Sequence, residues 1–158
     1  RTAVGAADRE ARPRAPEPRP GRTAAGTVSA QSMLAVLARL DDQRDGAFAA
    51  GDRALLDQVY AAGSAPLVAD RARLAAMVAA GVHANGLALT VRRVDVVAVS
   101  ATGVRLRVAD ELSSYALVRR DGSTVQRRPA RPLTTWTIRL VRTGGGDDGW
   151  RIAAIARA

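Results

Sequence analysis

Apolar positions recur every three or four residues across the first part of the chain and every second residue across the last part, and the period changes near Gly81. Met33, Leu37, Leu40, Ala47 and Phe48 make one stripe of a first helix, with Ser29 or Ser32 placed to cap its start. Arg44 falls on the same stripe. Over residues 44–60, RDGAFAAGDRALLDQVY, the pattern stops at Gly51 and resumes at once. Gly51 suits a left-handed helix stop and Asp52 a new N-cap, so the stretch predicts a tight corner into a short second helix carrying Leu55, Leu56, Val59 and Tyr60. A third helix is expected after Ser64-Ala65-Pro66, with Leu67, Leu74, Met77 and Val78 buried and Gly81 as its stop.

Residues 86–99, GLALTVRRVDVVAV, are rich in β-branched side chains, and Val104, Leu106 and Val108 then alternate with Arg105 and Arg107. Three turn signals divide this half: Ala101-Thr102-Gly103, Asp121-Gly122, and the GGGDDG run from Gly144 to Gly149. They predict four antiparallel strands in a meander, with Trp136, Ile138 and Leu140 facing inward on the third and Trp150 and Ile152 on the fourth. Pro129 and Pro132 make the entry to the third strand irregular, as an edge or bulge would be. Residues 1–28, by contrast, are rich in Pro, Arg, Ala and Gly with almost no large apolar side chain, the composition of a disordered linker. The expected organisation is therefore a linker over 1–28 and one α+β domain over 29–158.

Composition narrows the chemistry. The chain of 158 residues has no cysteine, which excludes disulfides, thiolate metal sites and thiol catalysis. All 24 basic residues are arginine, a bias expected of a high-GC bacterial genome, so Schiff-base and P-loop lysines are excluded and the net charge of +9 does not vary with ordinary pH. That charge is uneven: residues 1–26 hold six Arg against three acids, 27–85 five against six, and 86–158 thirteen against six. No stretch is long and apolar enough to cross a bilayer as a helix. The chain opens on Arg and a Pro/Arg-rich stretch, as expected of a processed product whose upstream signal or anchor has been removed. No metal-ligand cluster, phosphate-binding loop or nucleophile elbow is evident, so no metal and no cofactor is expected.

Three helices before a four-stranded meander, a helix corner of the form R-x-x-A-F-x-x-G-D (Arg44, Ala47, Phe48, Gly51, Asp52) and a last strand opening on D-G-W-R-I (Asp148 to Ile152) resemble the nuclear-transport-factor-2-like superfamily. The resemblance implies three N-terminal helices packed on a curved four-stranded antiparallel meander, a cone whose mouth can hold an apolar ligand. Its members include isomerases, dehydratases and cyclases as well as non-enzymatic transport and assembly proteins, and similar domains occur as extracytoplasmic parts of membrane-anchored bacterial proteins. Fold does not fix function here.

Within that frame Asp110 is the one candidate catalytic residue, because continuing the row Val104, Leu106, Val108 places its carboxyl on the core face. An ion pair with Arg44 is the competing, structural role. Tyr60, Tyr115 and Trp136 join Asp110 as candidate ligand-binding residues, with core packing as their alternative. His83 falls between Gly81 and Gly86 and reads as a solvated loop histidine. On the outer sheet face Arg105, Arg107, Arg139 and Arg151 form a candidate partner surface, for a homodimer or an unidentified protein. Specific nucleic-acid binding is not expected, since stacking aromatics are missing among the arginines. The first expectation is a non-catalytic interaction or assembly domain, extracytoplasmic and tethered or secreted, with cytoplasmic residence left open. The second is a small apolar-ligand binder or isomerase/cyclase-like enzyme.

Overall fold

A computed structural model describes residues 28–144 and 147–158. The expected linker lies outside these residues except for Val28, which already packs against the core. Helix α1 spans Ala30–Ala50 and opens with a reciprocal cap, in which Ser29 and Ser32 each take the other's backbone N–H on a side-chain oxygen. It ends at Gly51, whose φ of 68° is left-handed. Asp52 then accepts the Ala54 N–H at 2.8 Å and starts the next element. That element, Arg53–Gln58, is a 3-10 helix rather than a short α-helix. Its six residues carry Leu56 into the core and deliver Val59 and Tyr60 to the sheet. Helix α2 spans Ala65–Ala79 with Pro66 in its first turn. Val78 is not on its buried face: it is 55% exposed, and the inward row is Leu67, Asp70 and Leu74.

The strands are β1 (Val82–Asn85), β2 (Leu89–Val99), β3 (Gly103–Leu112), β4 (Tyr115–Arg119), β5 (Thr124–Arg128), β6 (Arg131–Arg142) and β7 (Trp150–Arg157). They form two antiparallel sheets, β2-β3-β6-β7 and β1-β4-β5, in place of one four-stranded meander. Two breaks cause the difference. The expected second strand divides at Ser113-Ser114, and the expected third divides at Pro129-Ala130, where the proline has no N–H to give to a ladder. The Asp121-Gly122 hairpin therefore belongs to the smaller sheet, joining β4 to β5. Ser113 fixes the first break: its hydroxyl accepts the Ala88 N–H at 2.8 Å and donates to the Gly86 carbonyl at 2.7 Å. The segment after Gly81 also pairs, as β1 against β4, instead of looping to the main sheet.

One core lies between the helices and the inner face of the large sheet. Leu40, Leu56, Leu74, Leu106, Leu140, Val59 and Val108 are its most completely buried large side chains. Backbone bonds stitch the two layers, with Ile152 N–H donating to the Val59 carbonyl and Ala61 N–H to the Ile152 carbonyl, each at 2.9 Å.

Gly103 is buried where β3 meets β6, and an added Cβ would overlap the Leu140 carbonyl. Gly46, inside α1, faces open space. Gly103→Ala should therefore cost about 1–3 kcal/mol, since backbone must move to admit the methyl group. Gly46→Ala should add about 0.5–1 kcal/mol by removing glycine's extra freedom in the unfolded chain. Urea unfolding curves of both variants against the parent test the pair of signs.

Candidate functional site

Among the described residues two carboxylates are buried, and the structure gives them different partners. Asp70, 5% exposed, projects from α2 and collects donors from three places. Arg44 of α1 approaches with Nε at 2.6 Å and Nη2 at 3.3 Å, the Tyr60 hydroxyl donates at 2.6 Å, and Arg73 Nη1 donates at 2.7 Å. The Arg44 guanidinium also lies over the Phe48 ring, 4.7 Å from its centre. The expected pairing of Arg44 with Asp110 is thus replaced by pairing with Asp70. The signal for Asp70 was in the sequence. Its spacing from Leu67 and Leu74 puts it on the inward stripe of α2, by the same logic that singled out Asp110.

Electrostatics follow from this arrangement. Burial pushes the Asp70 carboxyl upward, but the hydrogen bond and charge of Arg44, then the Tyr60 hydroxyl and Arg73, outweigh it and hold the group below the ordinary carboxylate value. Burial also opposes the charge of Arg44, and Asp70 overrides that effect and strengthens it. The Tyr60 hydroxyl is pushed upward, chiefly by burial, so it stays a donor. This cluster is a satisfied anion held by fixed donors, and it offers no group poised to take up or release a proton near neutral pH.

Asp110, 6% exposed, ends the inward row of β3 opposite Val91 of β2 and buried Thr134 of β6. Its Oδ1 accepts from Arg131 Nη2 at 2.7 Å and from the Trp136 indole N–H at 3.0 Å. The Arg131 guanidinium lies 5.2 Å from the centre of the Trp136 ring, so cation, ring and carboxylate form one packed unit. Across from it on α1 stands Asp41, whose carboxyl is raised to about 6, first by burial and then by Asp45, with Asp42 and Asp110 adding to the effect against the pull of Arg44. Burial raises Asp45 as well, against the pull of Arg44.

The remaining sequence candidates are dispersed. Tyr60 belongs to the Asp70 cluster and Trp136 to Asp110, while Tyr115 stands in the smaller sheet opposite Arg128. His83 is exposed on β1, within a strand rather than the expected loop, and pairs with Val118. It lines a cleft of about 660 Å³ between the C-terminal ends of α1 and α2 and the smaller sheet, together with Phe48, Met77, Val78, Asp45 and Arg120. Neither Asp110 nor Tyr60 borders that cleft. On the outer face of the large sheet Arg105 and Arg139 are directly paired across β3 and β6, with Arg107 beside them, and all three are exposed. Arg151 differs: it is half-buried, and its guanidinium donates to the carbonyls of Asp57, Asp148 and Trp150. Among the described residues no group of three or more potential ligands is placed to hold a metal ion.

Asp70→Ala should cost about 3–5 kcal/mol, because it strands the Arg44 guanidinium inside the helix layer. Tyr60→Phe removes one donor and should cost only about 1–2 kcal/mol. Denaturant unfolding of the two variants gives both values. The pH profile carries a second expectation. The depressed Asp70 supplies stability that is fully present above the ordinary Asp value of 3.8 and is lost as pH falls below it toward the folded value. Asp41 acts in the opposite sense: it penalises the fold above about 6, and the penalty is relieved as pH falls from 6 to 3.8. Asp41→Asn should accordingly raise the melting temperature at pH 7 and leave it nearly unchanged at pH 4, as thermal scans across that range will show.

No protein-family model matches the sequence, and no curated protein matches it. The fold is similar to the crystal structure of the intermembrane space region of the chloroplast protein ARC6, with a TM-score of 0.56 and 17% sequence identity over 82% of this chain and 96% of that one. At that identity the likeness shows an α+β fold, helices followed by antiparallel sheets.

Proposed function

We propose that this chain is a non-catalytic interaction or assembly domain of the nuclear-transport-factor-2-like cone type, the extracytoplasmic part of a tethered or secreted bacterial protein. The observation that carries the reading is the state of Asp110. A general acid or base must reach a substrate proton, whereas this carboxylate is 6% exposed and closed by Arg131 and Trp136. The outer sheet face supports the positive half of the proposal. Like charges set directly opposite on neighbouring strands destabilise a sheet, and Arg105 faces Arg139 with no ion pair to either among the described residues. Thr135 and Thr137 lie half-buried on the same face, and Ala154 is set beside Arg139, so the surface between the cations is low and flat. A second copy or another protein docked there would relieve the repulsion through its own acids.

The competing reading, a small apolar-ligand binder or isomerase/cyclase-like enzyme with its site in the cone, requires Asp110 to face an open cavity. Native and denaturing mass spectra of the gently purified chain separate the two. The interaction reading expects a ligand-free monomer or dimer, and a non-covalent mass lost on denaturation would replace it with the ligand reading. Asp110→Asn is expected to lower stability by about 2 kcal/mol, through the loss of a charge-assisted bond to Arg131, without changing the native mass pattern.

A further inference from the structure

The hairpin of β4 and β5 projects a free strand edge. β5 is the last strand in the order β1-β4-β5, so one of its sides is paired to β4 and, among the described residues, the other has no strand beside it. Every residue of β5 is exposed. In an antiparallel strand alternate residues direct N–H and C=O away from the paired neighbour, so this side presents main-chain donors and acceptors in ladder spacing. Edges of this kind are usually shortened, covered or charged. Here the charge is of one sign. Arg119 closes β4 and Arg120 opens the turn, Arg127 and Arg128 close β5, and the intervening acid, Asp121, is engaged at the turn by the Ser123 N–H at 2.8 Å. No ion pair involves Arg120, Arg127 or Arg128 among the described residues.

This combination selects its occupant. A second copy of the hairpin paired antiparallel would bring Arg127 and Arg128 to the end of the other hairpin that carries Arg119 and Arg120, and would supply no acid to them, so the charges disfavour edge-to-edge pairing of the chain with itself. A nucleic acid would satisfy the charge but cannot continue a main-chain ladder, and the aromatic of the hairpin, Tyr115, is half-buried rather than open for stacking. An extended acidic polypeptide satisfies both. Arg127 and Arg128 are successive residues of one strand and point to opposite faces, so side chains of either parity on an added strand meet a guanidinium. We propose that the β5 edge takes an acidic extended segment of a partner protein as an added strand, with main-chain bonds giving register and Arg119, Arg120, Arg127 and Arg128 giving charge recognition. The inference concerns a different surface from the outer face of the large sheet and does not depend on what binds there.

The test uses the folded chain, isotopically labelled, and a fluorescent peptide of about eight residues alternating Glu and Thr. Its counterparts are the same peptide with Lys for Glu, the same acidic peptide N-methylated at alternate residues in either phase, and an oligothymidine of matching charge. Amide shifts should concentrate at residues 124–128, the Lys peptide should not bind, and one of the two N-methylation phases should weaken binding about tenfold or more. Arg127→Glu with Arg128→Glu should weaken it to a similar extent at unchanged melting temperature. Equal binding of both N-methylated peptides and the parent would overturn the strand-addition mode, as would shifts confined to Arg105, Arg107 and Arg139. Tighter binding of the oligothymidine than of the acidic peptide would overturn the choice of partner. The peptide comparisons are made on the unaltered chain, so the result stands even where the double variant fails to fold.

Discussion

The carboxylate of Asp70 holds the helical layer to itself and, through one intermediary, to the sheet. Arg44 reaches it from α1, Tyr60 from the end of the 3-10 helix, and Arg73 from the next turn of α2. Tyr60 is flanked by the backbone bonds that join Val59 and Ala61 to Ile152 on β7. A charge taken out of water is destabilising unless its partners are complete, and here two of the three, Arg44 and Tyr60, come from segments that no local preference would bring to α2. The same cluster therefore fixes the angle of the corner at Gly51 and the seat of both helices on the inner sheet face. Removing the anion would take one shared restraint from all of them, leaving the hydrophobic core and the backbone bonds to Ile152.

Around that fixed layer the sheet does something less regular. Its two longest ladders break at Ser113-Ser114 and at Pro129-Ala130, and the strand pieces beyond the breaks turn away with β1 to make a second, smaller sheet. The large sheet keeps one face on the core and presents arginine on the other, the division common in antiparallel sheets. The smaller one is mostly exposed, with Val118 as its fully inward side chain. Among the described residues excess positive charge is thus carried by two surfaces of different kind: a flat face where Arg105 and Arg139 oppose each other, and a narrow hairpin whose edge is open. Neither surface includes either of the buried carboxylates, Asp70 and Asp110.

Local chemistry was legible in the sequence because it is decided within a few residues. Ser29 with Ser32, Gly51 with Asp52, and Asp121 with Gly122 each specify a backbone geometry by their own side-chain bonds or freedom at positive φ. The alternation of Val104, Leu106 and Val108 likewise names the buried face of β3 without reference to anything distant. Period, caps and turns were enough to give helices followed by antiparallel strands, but not to tell a six-residue α-helix from a 3-10 helix, whose hydrogen bonds differ by one residue in reach.

Which charge meets which is a tertiary matter. Arg44 stood equally ready for Asp110 or Asp70 as far as periodicity could say, and the packing of α1 across α2 chose the acid 26 residues away. Asp110 received Arg131 instead, from a proline-flanked segment whose irregularity hid the direction of its side chains. Division of the strands into two sheets was also beyond sequence period, since a strand that changes partner keeps its alternation on both sides of the break. The sequence alone determined that helices precede antiparallel strands, where the caps and tight turns fall, and which face of β3 is buried, because those depend on neighbours along the chain. Only the tertiary structure decided the ion pairs, the second sheet and the closed state of Asp110, because those depend on neighbours in space.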